Sequence, residues 1–480
     1  MAEKVDYDYE HDYEHEHEHE KDHGNIKKGY AMLSLLAVGL MAVSAGPERS
    51  ADPLLSEDDS RFLEEMTAAV MDASRVAPEQ KVGEIGPNAT GGTLIRPGGR
   101  NSYPAFWIRD YAMSLDSGLV TPDEQRHMLL LTASHQQDSE WRLANGSVVT
   151  PGSIPDHISL GNKPIFYPGT LEDYEGQGGA RWGVLPSLDD AYFFIAMAHH
   201  YVARTKDRAI LATDVRGKPL LQRMEEAYRM PPSRADTGLV YADESNRGVT
   251  FGFVDTIIHT GDLLFCSLLK FQAAQHLAEL LDAAGRNADA ARYREDAERI
   301  RAAIEATFAL DSGLYRASTG LSGQPDVWGT AYGVYIGAFG RSRTERACAA
   351  LAQAYRDGTL AWRGNIRHVP TSDDFSASTA WEKTDVAKNR YQNGAYWGTP
   401  VGWVCYAIAK ADWPAAQQLA RAYVQELRDG DFRKGPEFGS PWECMHPEGD
   451  HKQNPVYLAS VTCPLAAFKR MEAERNQPKP

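Results

Sequence analysis

The segment from Asp262 to Phe308 limits the fold of this chain more than any other stretch. Apolar residues recur at helical spacing from Leu263 to about Ala284, and again from Asn287 to Phe308. Between them lies Ala284-Gly-Arg-Asn-Ala288. Apolar positions that return every three or four residues form one stripe on a helix. Gly285 is the residue type that adopts the left-handed conformation ending such a helix. The unit is therefore an αα-hairpin, and it must lay its stripes against further helices.

Comparable helical runs recur along the chain. Ser56-Glu-Asp-Asp reads as an N-cap with an acidic first turn, followed by Phe62, Met66, Val70 and Met71 at helical spacing. Further runs cover roughly Pro122–Gln137, Asp189–Arg204, Trp328–Phe339, Ser342–Asp357, Pro400–Lys410, Pro414–Asp429 and Tyr457–Glu472. Asp262 is expected to cap the helix after it, and Ser187 or Asp189 the helix that begins near Tyr192. Strand signals are few and short. A count approaching twelve helices suggests six hairpins closed into an all-α (α/α)6 barrel with long loops. A flat solenoid competes, but solenoids carry a shared repeat motif, and the sequence has none.

A chain of 480 residues accommodates one such barrel. The expected organisation is an acidic, His-rich tail at 1–30, a signal-like apolar segment at 31–45, and one catalytic domain from 46 to 480. The tail, with Glu14-His-Glu-His-Glu-His-Glu20, has the charge density of a solvated segment. Lys27-Lys28 precede the apolar run, which ends in Val43-Ser-Ala45, the order of a secretory signal. The run is shorter than the ~20 residues of a membrane span, so export to the periplasm or the exterior with a mature start near Gly46 is expected if Ala31–Ala45 is a signal, and a cytoplasmic place otherwise. The net charge of −16 argues against nucleic acid as a partner. Five cysteines show no metal-binding spacing; Cys266 and Cys405 read as core residues, and Cys444 and Cys463 flank one loop and could pair in an oxidising compartment, a pairing the odd count leaves open.

Five loops concentrate aromatic residues with carboxylates, amides or arginine. Phe106-Trp-Ile-Arg-Asp110 offers a platform, Trp107, beside Arg109 and Asp110, a set suited to a sugar ring and its hydroxyls; a structural Arg–Asp pair is the plain alternative. Gly176–Asp190 contains Trp182 but lacks the Gly-Lys-Ser/Thr of a phosphate loop. Phe251–Asp262 holds Asp255 behind Phe251, Phe253 and Val254, where burial would favour a protonated carboxyl and hence a general acid. Tyr391–Pro400 supplies Asn393, Tyr396 and Trp397, and Phe438–Pro447 supplies a second carboxylate, Glu443. Two carboxyls facing across an aromatic cleft, roughly 6.5–9.5 Å apart, are what inverting glycosidic cleavage needs.

In motif order over roughly Trp107 to Phe468, the chain resembles the six-hairpin glycosidases. It is most like the catalytic domain of amylo-α-1,6-glucosidases of the glycogen-debranching type and their α-glucosidase and trehalase-like relatives. Phe106-Trp-Ile-Arg-Asp110 resembles the segment lining their sugar subsite. Phe253-Val-Asp255 is similar to their Trp-Met-Asp, whose Asp is the general acid. Asn393-Gly-Ala-Tyr-Trp397 resembles an Asn-Gly-x-x-Trp segment, and Phe438-Gly-Ser-Pro-Trp-Glu443 the segment bearing the base. The resemblance implies an (α/α)6 barrel, an inverting hydrolase of a glycosidic bond without metal or other cofactor, Asp255 as acid and Glu443 as base. Trp107, Arg109, Asp110, Asn393 and Trp397 would then hold the sugar, with Trp182 and Tyr396 lining the pocket. A sugar epimerase or polysaccharide lyase using His259, His368 or His446, and a non-catalytic carbohydrate-binding scaffold, are the competing readings.

Overall fold

The computed structural model describes residues 52–83, 85–100, 102–143, 146–166 and 184–477, all within one compact unit, Pro47–Pro480. The acidic tail, the apolar run at 31–45 and Trp182 lie outside the described residues. Twelve α-helices occur among those described: α1 (Glu57–Ser74), α2 (Ile108–Ser114), α3 (Pro122–Ser134), α4 (Asp190–Thr205), α5 (Leu220–Arg229), α6 (Leu264–Ala283), α7 (Asn287–Phe308), α8 (Val327–Tyr335), α9 (Arg341–Arg356), α10 (Val401–Ala411), α11 (Trp413–Asp429) and α12 (Ala459–Asn476).

The even-numbered helices form a closed ring. Packing runs α2 to α4, α6, α8, α10 and α12, and α12 returns to α2. The odd-numbered helices lie outside: α3 on α4, α5 between α4 and α6, α7 on α6, α9 between α8 and α10, α11 on α10, and α1 on α12. Residue pattern explains the two layers. Inner helix α6 buries the unbroken run Leu264–Phe271, as a helix covered on several sides must. Outer helix α7 buries only Ala290, Ala297, Ile300, Ile304 and Phe308, one stripe at helical spacing. The expected barrel is the observed fold.

Local chemistry sets most helix ends. Ser56 caps α1 by accepting from the Asp59 N–H at 3.1 Å. After α6, Gly285 sits at φ +77°, its N–H donates to Asp282 O, and the Arg286 N–H donates to Leu281 O at 2.8 Å, which closes the helix. Two capping expectations fail. The N-cap of α6 is Leu263, because the Asp262 carboxylate is turned to Arg234 Nε at 2.7 Å. Asp189 precedes α4 without a side-chain cap bond, since Arg109 holds its carboxylate. Helix α8 also stops short of Phe339, where Gly337 at φ +72° turns the chain.

The segments leading into the inner helices are tied together at one end of the ring. Leu188 N–H donates to Val249 O, Leu264 N–H to Ala317 O, Val327 N–H to His368 O, and Leu458 N–H to Pro97 O. A five-stranded antiparallel sheet joins this collar, in the order Ala361–Trp362, Asn365–Ile366, Tyr396–Trp397, Trp442–His446, His451–Pro455. The N-terminal, partially positive ends of six helices thus share one mouth. All five thiols are free and buried. Cys444 and Cys463 do not pair: one lies 3.8 Å from His451 Nε2 and the other, inside α12, points to Met113 O. No described helix is long and apolar enough to cross a membrane.

Candidate active site

Glu443 lies on the strand Trp442–His446, one residue out of phase with Cys444, so the two side chains leave opposite faces of the sheet. Its side chain is buried. Oε1 accepts from the Tyr103 hydroxyl at 2.8 Å, and Oε2 accepts from Asn454 Nδ2. Asn454 Nδ2 also donates to the Tyr103 hydroxyl at 3.0 Å, which closes a three-membered network. Both partners are held in the left-handed region, Tyr103 at φ +57° and Asn454 at φ +46°, with β-branched Val456 beside them at φ +59°. Such backbone costs of order 1–3 kcal/mol per residue and persists where surroundings enforce it. Burial pushes the Glu443 carboxyl up to about 8; Asp110 and Asp255 add to the rise, and the bonds from Asn454 and Tyr103 oppose it.

Asp110 sits in the first turn of α2, and one of its oxygens accepts from the Tyr457 hydroxyl. Burial raises its carboxyl to about 6, against the lowering effects of Tyr457 and Arg109. Half-buried Trp107 stacks on His157, with ring centroids 4.3 Å apart, and takes the edge of Tyr103 at 4.9 Å. Platform, Asp110 and Glu443 are therefore linked through Tyr103 and Tyr457, whose rings lie 5.8 Å apart.

Arg109, expected to reach a sugar, is buried beneath this platform. Its Nε donates to Asp189 at 3.0 Å, Nη2 donates to Asp190 at 2.8 Å, and Nη1 donates to Asp156. Asp156 also binds His157 Nδ1 at 2.6 Å, and Asp189 accepts from the Gly252 N–H at 3.1 Å. The guanidinium thus braces, from below, both the ring under Trp107 and the turn that carries Asp255. Gly252 is required there, because a Cβ would fall on the Arg109 side chain.

Asp255 follows the turn Gly252–Val254 and is half-buried, while Phe251, Phe253 and Val254 beneath it are buried. Phe251 stacks on Phe265 at 3.8 Å, and Phe253 meets Trp328 and Trp397 at 5.9 and 5.7 Å. The apolar residues preceding the carboxylate are its floor. Gln392, fully buried, donates from Nε2 to Asp255 Oδ1 and to Gly252 O, and its Oε1 accepts from Thr256 N at 2.6 Å and Thr256 Oγ1 at 2.8 Å.

The remaining expected residues sit lower. Asn393 is buried; its Oδ1 accepts from Ala380 N at 2.9 Å and its Nδ2 donates to Val386 O at 2.7 Å, so it pins the 379–386 loop. Trp397 is buried among Phe253, Trp328 and His368. Tyr396 stacks on His446 at 5.5 Å. His259 and His368 are buried, and burial lowers His259 to about 3 and His368 well below the ordinary range. His368 stacks on Trp328 at 3.5 Å, a packing role. Tyr103, Asn454 and Gln392 escaped sequence reasoning. Tyr103 and Gln392 lie inside or beside two of the aromatic loops, but only their partners, far away in the chain, give them meaning.

No family model and no curated protein matches the sequence. Among solved structures the chain is similar to a glucoamylase of glycoside hydrolase family 15 from Hypocrea jecorina, at 12% identity and TM-score 0.58 over 87% of this chain and 72% of that one. A glucoamylase from Saccharomycopsis fibuligera matches at 11% identity and TM-score 0.55, over 89% and 98%. A GH63 mannosylglycerate hydrolase from Thermus thermophilus, in complex with glucose, matches at 13% identity and TM-score 0.52, over 85% and 100%. At such identities the shared property is the architecture: this chain has the six-hairpin (α/α)6 barrel fold of these glycoside hydrolases.

Proposed function

We propose that this protein is an inverting glycoside hydrolase acting on a glycan or small glycoside, with an α-linkage as the expected bond. Asp255 protonates the glycosidic oxygen as the bond to the anomeric carbon breaks. Glu443 takes a proton from the water that attacks that carbon from the opposite face, so the product sugar emerges with inverted configuration. Trp107 offers a stacking face and Asp110 an acceptor for sugar hydroxyls. Arg109, Asn393 and Trp397 serve the sugar indirectly, by fixing the floor and loops.

One observation carries this reading. A carboxylate ahead of α6 and another ahead of α12 belong to the segments that lead into the inner helices at one end of the ring, and Asp255 is among the charges that raise the Glu443 carboxyl. The burial of His259 and His368 speaks against proton abstraction by either. The structural neighbours act, by name, on different glycosides, which supports the reaction class and leaves the sugar to experiment.

The test is product release from a panel of α-linked oligosaccharides and aryl glycosides by wild type, Asp255→Asn and Glu443→Gln. Turnover by wild type with a large loss in both variants is expected. Near-full activity in either variant would remove that residue from its role. Export through the segment at 31–45 is proposed from sequence alone; N-terminal sequencing of protein from cells expressing the full chain should find a start near Gly46, and an intact tail on protein outside the cytoplasm would contradict it.

A further inference from the structure

The amide of Gln392 can be oriented without ambiguity. The atom facing Thr256 receives a backbone N–H at 2.6 Å, and a backbone N–H only donates, so that atom is Oε1. The Thr256 hydroxyl reinforces the assignment at 2.8 Å. Nε2 therefore faces the other way, and its two hydrogens meet Gly252 O at 3.1 Å and Asp255 Oδ1. Gln392 is completely buried, and the Nε1 of buried Trp381 donates to its backbone carbonyl at 3.1 Å. This side chain has no alternative pose that keeps its bonds. One amide thus ties three features of the acid turn, Gly252, Asp255 and Thr256, to a loop 137 residues later in the chain.

We infer that Gln392 is the positioning residue of the proposed general acid. The inference rests on the reading of Asp255 as that acid. A carboxyl oxygen that accepts an amide N–H is the poorer site for a proton, so the clamp directs the proton of Asp255 to Oδ2 and fixes the plane of the carboxyl. Gln392 touches no reacting atom. It acts through Asp255.

The experiment compares Gln392→Glu, Gln392→Ala and Asp255→Asn with wild type on two aryl glycosides of the sugar that wild type accepts. One carries 2,4-dinitrophenolate, which departs without a proton, and the other carries a simple phenol, which needs one. Asp255→Asn should lose far more activity on the phenyl than on the dinitrophenyl substrate. Gln392→Ala should show the same asymmetry in milder form, with kcat on the phenyl substrate down roughly 100-fold, the scale of a misplaced catalytic group, and KM little changed. Gln392→Glu, which keeps the acceptor for Thr256 and removes the donor to Asp255, should show the same leaving-group asymmetry. An equal loss on both substrates would overturn the inference and leave Gln392 a structural residue, as would a variant with full activity. If Asp255→Asn itself lacks the leaving-group asymmetry, the acid assignment fails and takes this inference with it. Melting temperatures of all variants separate misfolding from misplacement: only losses in folded protein count for the inference.

Discussion

Tyr103 and Glu443, 340 residues apart in the chain, are joined by a 2.8 Å hydrogen bond at the mouth of the barrel. The tyrosine donates and the carboxylate accepts, so the bond is strongest when Glu443 is ionised. A base must be ionised, yet burial pushes this carboxyl up to about 8. The Tyr103 and Asn454 donors keep the charged form within reach of neutral pH.

The pH dependence follows from that balance. One inflection of kcat/KM against pH should fall near 8 and belong to Glu443. Tyr103→Phe removes a donor to the charged form, so the inflection should move to higher pH. A bond to a charged group worth about 1.5–3 kcal/mol corresponds to roughly 1–2 pH units. An inflection that stays in place would mean that Tyr103 does not support the ionised carboxylate.

Arg109→Lys should be severely destabilising despite keeping the charge. The guanidinium fork serves Asp156, Asp189 and Asp190 together, and a lysine ammonium cannot match that geometry. Leaving buried carboxylates unpaired costs about 3–5 kcal/mol. Chemical denaturation should register a loss of that order, and a change within experimental error would show that the cluster does not brace the floor.

At Gly252 the expected effect is local. Gly252→Ala places a methyl against the Arg109 side chain, which three ion pairs prevent from moving aside. Overpacking of this kind costs about 1–3 kcal/mol, and the displaced turn carries Asp255. Activity should fall well beyond what the drop in melting temperature explains, so both are measured on the same preparation.

Stability should also depend on Asp326. This N-cap of α8 accepts from the Gly329 N–H at 2.8 Å, and burial raises its carboxyl from 3.8 to about 7. The folded state favours the neutral carboxyl, so its stabilising contribution is complete below pH 3.8 and is lost as pH rises through about 7. Asp326→Asn keeps an acceptor for the cap and cannot ionise. Its melting temperature should gain on wild type as pH rises from 3.8 to about 7, and the gain should level off above that. A difference that does not change with pH would contradict this.

Long amphipathic helices are legible in the sequence because many turns repeat the same signal. The expected run Asn287–Phe308 is α7 itself, and Leu263–Ala284 differs from α6 by one residue at each end. Helices α2 and α5, with 7 and 10 residues, offer too few periods to stand out. The sheet that carries Glu443 is invisible in the sequence, because three of its strands are two residues long and the central one, Tyr396–Trp397, is held by partners distant in the chain. The loops of the site are found through their aromatic and acidic content. Which residues face the cleft is not: Asn393 and Trp397 turn inward, and Arg109 finds carboxylates 47, 80 and 81 residues away.

Single-displacement hydrolysis requires Asp255 and Glu443 to act as a pair on opposite faces of the sugar. The most direct measurement is proton NMR of the anomeric signals during the first minutes of turnover, before mutarotation mixes them, with wild type and Glu443→Gln side by side. The predicted result is a first-formed sugar of configuration opposite to the substrate, released by wild type and not by Glu443→Gln. A first product of retained configuration, or an undiminished rate in Glu443→Gln, would contradict it.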